Sequence, residues 1–234
     1  MKAAPLPATI LFLVSLALNL WFAGIPDWRW IPAALAAWYV ADLLSGLTHM
    51  YMDYRPCTPG VGLAEMFHYS GSRESADYLT LRDRVLPRIS PFERLVYDFK
   101  NHHPRPDALG RRSFLVQIGS TILFVSLPVS LLLNLLCVVV ALPGWLIAGA
   151  VVLIVGGTLA QYFHGTLHRA DNPWIVHAMR RVGLLMTPEA HALHHATLRR
   201  DFATNTGWSN PLVNAIFRVA TSRGWLTEAG LEPR

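Results

Sequence analysis

Charged side chains are scarce in this chain: they make up 15% of its 234 residues, where a soluble domain carries about a quarter. With 53% of residues hydrophobic, that shortage argues against an ordinary cytosolic domain and excludes a disordered chain. Cysteine is almost absent. Cys57 and Cys137 are too few for a disulfide framework, and Cys137 lies within an apolar run, so a bridge between them is not expected. Zinc spacings built on cysteine pairs are missing. So are H-E-x-x-H, G-x-S-x-G and any glycine-rich phosphate loop, which counts against a zincin protease, an α/β-hydrolase and a nucleotide enzyme. Internal repeats and low-complexity stretches are also missing.

What is present in abundance is long apolar sequence. Four runs, about 8–24, 30–50, 113–136 and 145–167, each approach the ~20 residues that cross a bilayer as a helix. Pro128 falls inside the third, where a membrane helix tolerates it. Gly24, Pro26 and Asp27 punctuate the first pair of runs, and Pro143 and Gly144 the second pair, so two helical hairpins are expected. The first run, with Lys2 before it, has the makings of a signal peptide, but no small-x-small cleavage site follows; an uncleaved helix is the better reading.

The net charge is +5. Of the 20 Lys and Arg, ten lie in the loop 51–112 and eight in the tail 168–234. Arg29 alone lies in a hairpin connection. By the positive-inside rule, the N-terminus, the long loop and the tail are cytoplasmic. No nucleic-acid-binding motif accompanies the basic charge, so nucleic acid is not an expected partner. The expected fold is all-α: a single domain over 1–234, integral to a bacterial inner membrane or its equivalent, with about four transmembrane helices and a cytoplasmic helical cap.

Ten histidines are many for so apolar a chain, and on this topology all lie at the cytoplasmic side. Asp42, Gly46, His49 and Asp53 share one helical face. Asp42 is the deepest of them, and an ionisable group at that depth usually faces a partner inside the bundle. Gln161, His164 and His168 share a face of the fourth run. The loop carries Asn101-His102-His103-Pro104. The tail carries His191-Ala192-Leu193-His194-His195, whose three imidazoles can point one way from a helix. His68 and His177 stand alone and are expected to be surface residues or outer neighbours of a site. Eight clustered histidines with Asp53 suffice for two metals at about four ligands each. Imidazole suits iron, zinc, copper and nickel alike. A b-type haem wants axial pairs buried on facing helices, and a transporter wants ligands near the bilayer midplane; neither pattern fits clusters at helix ends.

These stretches, together with Ala41-Asp42-Leu43-Leu44-Ser45-Gly46-Leu47-Thr48-His49 and Thr206-Gly207-Trp208-Ser209-Asn210-Pro211-Leu212, resemble the membrane lipid desaturase family that includes the plasmanylethanolamine desaturases and the plastid phosphatidylglycerol trans-desaturases. The order of the boxes holds from about residue 40 to 215. The chain departs from the family pattern at Met50, where Trp is frequent, at Ala190, where some members have His, and in a longer segment over 55–99. The resemblance implies a non-haem di-iron enzyme that uses O2 and external electrons to desaturate an acyl or alkyl chain of a membrane phospholipid. It implies His49, His102, His103, His164, His168, His191, His194 and His195 as iron ligands, with Asp53 as a carboxylate ligand or a base beside them. Asp42 and Gln161 are expected to receive the outer N–H of ligand imidazoles, with Asn205 and Asn210 as weaker contributors. The basic loop is suited to an acidic electron donor of the cytochrome b5 or ferredoxin type, or to lipid phosphates. A lipid hydroxylase on the same metals, a metal transporter or sensor, and a structural scaffold are the competing readings.

Overall fold

Residues 6–234 are described by a computed structural model. Among them there are helices and loops and no strand. Four helices are long and apolar enough to cross a membrane: α1 (Leu6–Ala23), α2 (Trp30–Tyr54), the pair α7 (Phe114–Thr121) and α8 (Leu127–Val139), and α9 (Gly144–Thr166). They form two hairpins, joined through 24–29 and 140–143. Lys2 lies outside the described residues.

Two boundaries differ from expectation. Helix α2 continues four residues past the expected end at Met50 and so carries Asp53 one turn beyond His49, as their expected shared face requires. The third span is interrupted by a π-helical turn over Ile122–Ser126, just before Pro128. Proline has no N–H and its ring crowds the preceding turn; widening that turn is one way a membrane helix accommodates it.

In a bilayer, apolar surface alone does not hold helices together, so small residues and polar pairs do. Helices α1 and α8 are joined by a buried cluster. Ser15 and Ser130 share a hydrogen bond of 2.7 Å, Asn19 Nδ2 donates to Ser130 Oγ at 2.8 Å, and Asn134 Nδ2 donates to Ser15 Oγ at 2.7 Å. Helix α9 lies along α2. A Cβ on Gly156 would stand 2.8 Å from that of Ala41, so only glycine permits this approach.

The C-terminal ends of α2 and α9 point to one side, and the remaining segments fold together there. Four short helices follow α2: α3 (Leu63–Phe67), α4 (Ala76–Val85), α5 (Pro91–Lys100) and α6 (Pro106–Gly110). Ser75 and Ser90 cap α4 and α5 by accepting from Tyr78 N and Glu93 N, satisfying donors that a helix start leaves free. Leu63, Met66, Val85, Val96 and Tyr97 make a core that packs on Met52 of α2. Past α9 come α10 (Trp174–Arg181), α11 (Pro188–Thr197) and α12 (Asn210–Ser222). Helix α10 packs through Val176 on Phe163, and α12 through Val213 and Phe217 on Met50 and Tyr54.

Candidate metal centre

All eight clustered histidines and Asp53 converge where α2 and α9 end. They form two groups, each with ligand atoms lying within 4.8 Å of one another. One holds five imidazoles, His102, His164, His168, His191 and His195; the other holds His49, Asp53, His103 and His194. The groups adjoin, with the His49 ring centred 4.9 Å from that of His164. Every one of these residues is buried or nearly so.

The long helices each serve one group: α2 provides His49 and Asp53, while α9 and the turn after it provide His164 and His168. The helix stops at Thr166, and His168 is held in a turn by its own N–H donating to Gly165 O at 3.2 Å. The loop box and the tail box are each divided between the groups. His102 joins the five imidazoles and its neighbour His103 the other group. The last box does not point one way as expected: His191 and His195 face one group and His194 the other. On an α-helix, residues four apart are turned by about 40° and residues three apart by about 60° in the opposite sense, so the three rings straddle the boundary. Thr187 caps α11 by accepting from Ala190 N, with Pro188 in the first turn. Leu198, in the left-handed region at φ 53°, ends it just beyond the box, its carbonyl accepting from Tyr54 Oη at 2.8 Å.

The distances suit a shared cation better than hydrogen bonds. His191 Nε2 lies 3.1 Å from His164 Nε2, 3.2 Å from His168 Nε2 and 3.1 Å from His195 Nε2. A ring nitrogen carries one hydrogen or one lone pair, so it cannot satisfy three such neighbours. Asp53 Oδ2 is 3.3 Å from both His49 Nε2 and His194 Nε2, and its Oδ1 is 3.3 Å from His103 Nε2. These buried atoms have no hydrogen-bond partner. With metal–nitrogen bonds of about 2.0–2.1 Å, neighbouring ligand atoms stand about 2.9–3.4 Å apart in octahedral to tetrahedral shells. The donor set therefore fits metal ions. The outer nitrogens are oriented too: His102 Nδ1 bonds Phe99 O at 2.5 Å and His194 Nδ1 bonds Arg200 O at 2.8 Å, which directs each Nε2 inward.

Burial, reinforced by the neighbouring imidazoles, pushes His102 and His191 well below the ordinary histidine value. Burial likewise lowers His103 and His168 to about 4 and His195 to about 3, although Asp53 partly opposes the shift at His103. These rings are neutral at pH 7, and a neutral ring offers the lone pair a metal needs.

Asp42 has a different task from the one expected. It faces no imidazole. Its carboxylate accepts from Thr206 N, Gly207 N and Ser209 N at 2.7, 3.0 and 2.9 Å and from Ser209 Oγ at 2.7 Å. Asn205 donates to Gly156 O and Asn210 accepts from Ala203 N, so both shape the same stretch of chain. Gln161 lines a cavity that His102 also borders. His68 is exposed and near Glu232, and His177 is exposed. Sequence reasoning missed Phe99 and Phe202, whose rings pack 5.0 Å from His49 and 4.9 Å from His194 and exclude water. It also missed Lys100, fully buried, which donates to Arg55 O at 2.6 Å and to Gly230 O. Its place two residues before His102 was the only signal. The 55–99 segment holds the loop box: Arg73 donates to Asn101 Oδ1 at 3.0 Å and to Met66 O at 2.9 Å.

Residues 92–225 match the lipid desaturase domain family. Over 243 aligned positions, spanning this whole chain and 74% of the relative, the sequence is 26% identical to a plasmanylethanolamine desaturase of Myxococcus xanthus. No solved structure matches.

Proposed function

Because the chain belongs to the lipid desaturase domain family, we propose that it is an O2-dependent, non-haem di-iron desaturase acting on an acyl or alkyl chain of a membrane phospholipid. The observation that carries this reading is the pair of adjoining, buried ligand groups at the ends of two membrane helices. His102, His164, His168, His191 and His195 hold one iron, and His49, Asp53, His103 and His194 the other. Bound iron supplies, with O2, the oxidising power to remove hydrogen from an unactivated CH2 pair, which no side chain can provide. The reaction balances as one CH2–CH2 unit, one O2, two electrons and two protons giving one CH=CH unit and two waters.

The protein's part is to hold and to exclude. Asp53 supplies the one anionic donor among neutral rings. The Phe99 and Arg200 carbonyls fix the tautomers of His102 and His194. Phe99 and Phe202 keep bulk water away from the rings. The basic segments beyond α2 and α9 set the centre on the cytoplasmic side, in a bacterial inner membrane or its equivalent, where an acidic cytochrome b5- or ferredoxin-like donor delivers electrons. The whole of 1–234 acts as one domain.

The test is iron content and Mössbauer spectroscopy of protein from iron-57-grown cells, followed by mass spectrometry of product lipids. About two coupled irons per chain are expected, as nine ligands at about four or more per metal allow, with products two hydrogens lighter. His194→Ala is expected to abolish turnover and lower iron content while leaving membrane insertion intact. One zinc, or no metal after iron-replete growth, overturns the oxidative reading; a gain of one oxygen in the product makes the enzyme a hydroxylase.

A further inference from the structure

Two cavities border the five-imidazole group, and they differ in character. One, of about 410 Å³, is walled by Asp107, Gly110, Arg111, His168, Arg169 and Asp171. The other, of about 180 Å³, has a mostly apolar surface bounded by Thr48, Leu95, Phe99, Thr121 and Gln161 with His102, although Asp98 and Arg112 also line it. The second lies where the ends of α2, α7 and α9 meet the segment 95–112. Helices α2 and α7 each pack on α9, and the cavity occupies the cleft they leave, with Gln161 of α9 in its wall and α5 across it. Thr48 and Leu95 are exposed, so the cleft reaches the outer surface of the bundle. His102 borders it, so it also reaches a residue of the five-imidazole group. The π-helical turn begins immediately after Thr121, where the cavity meets α7; such turns often mark functional sites.

We propose that this cleft admits one hydrocarbon chain of a bilayer lipid sideways between α2 and α7, and that Thr121 is a specificity-determining residue on its path to His102. The occupant is a chain rather than a headgroup because the lining is mostly apolar and the cleft opens beside Thr48, an exposed position of the spanning helix α2. A cavity of about 150 Å³ already holds a benzene-sized apolar ligand, so this one accepts a segment of roughly six carbons. The cavity at His168 has no large apolar side chain in its wall, and its two arginines and two aspartates would lose water against a chain with no apolar contact in return. The assignment of the chain's fate rests on the desaturase reading; its location does not.

The experiment uses the full chain in lipid nanodiscs containing a phospholipid with a photoreactive diazirine in mid-chain. Illumination is expected to give adducts, located residue by residue, at Thr48, Phe99 and Thr121, with or without turnover. Thr121→Trp is expected to remove those adducts and to lower desaturation by about tenfold or more, a barrier change of order one decade in rate, at unchanged iron content. Val125→Trp, on the exposed face one turn on, is expected to change neither. Ser120→Leu, which fills the same cavity less severely, replaces Thr121→Trp if the latter loses iron. Adducts confined to lipid-facing positions such as Leu44, Phe124 and Val125 overturn the proposal, as does full desaturation by the iron-loaded Thr121→Trp protein. Adducts in the cleft of a wild-type protein that desaturates nothing leave the cleft standing and sink the reaction.

Discussion

Asp42 illustrates how one residue can look like part of a metal site and be part of its frame. A carboxylate with two oxygens takes four donors from the Thr206–Ser209 turn, and that turn leads into α12, which packs on α2 just beside His49. Replacing it with Asn removes one acceptor oxygen and sets an NH2 against backbone N–H groups. Each buried donor left unpaired costs about 1–3 kcal/mol. Asp42→Asn is therefore expected to melt at a clearly lower temperature, while the protein that remains folded binds iron like the wild type. Iron loss at an unchanged melting temperature would return Asp42 to its expected role of receiving the outer N–H of a ligand imidazole. The nine convergent residues were legible in the sequence because the donors of each box are close along the chain and every box lies at or beyond the end of an apolar run. Asp42's partners lie 164 to 167 positions away, beyond any spacing rule. The division of the last box between two groups was hidden for another reason: it depends on where the neighbouring helices stand, not on the box.

At the scale of elements, the site depends on how closely α2 and α9 approach. Each long helix serves one ligand group, so their separation sets the separation of the groups. Gly156 packs directly against Ala41, where an added Cβ would stand 2.8 Å from Ala41 Cβ. A leucine at 156 cannot be accommodated by a small rotation, since its first carbon already meets Ala41 Cβ at 2.8 Å. Overpacking of this kind costs about 1–3 kcal/mol, and here it also pushes His164 away from His49. Gly156→Leu is expected to lower both thermal stability and iron occupancy, read by a melt and by elemental analysis on one sample. Full iron occupancy would mean the loop boxes alone gather the metals. The spans were readable within a few residues, since twenty apolar residues admit few alternatives. The π turn and the buttress formed by 55–99 were not, because each answers to a neighbour: Pro128, and Arg73 reaching Asn101.

Over the whole molecule, a chain with a net charge of +5 gathers eight imidazoles in one buried place, and that is tolerable only while they are neutral. An unfolded histidine titrates near 6.5. In the fold, His103 and His168 are lowered to about 4 and His195 to about 3, mainly by burial. Below 6.5 the unfolded chain thus binds protons that the folded one refuses. Stability is fully present above about pH 6.5 and is lost as pH falls toward 4 and 3. Iron-free protein in detergent is expected to melt at a constant temperature above pH 7 and at steadily lower temperatures from about pH 6.5 to 4. Iron-loaded protein follows the same course from a higher start, because bound metal stabilises the state that holds it and must compete with protons for the same lone pairs. A melting temperature flat from pH 7 to 4.5 in the iron-free protein would mean these rings titrate normally, exposed to water. The cluster would then not be the dry, neutral ligand set that the distances around His191 and Asp53 require. The same experiment thus joins the bundle to its chemistry: helices that bury the rings deeply enough to keep them neutral also leave them ready to take metal at pH 7.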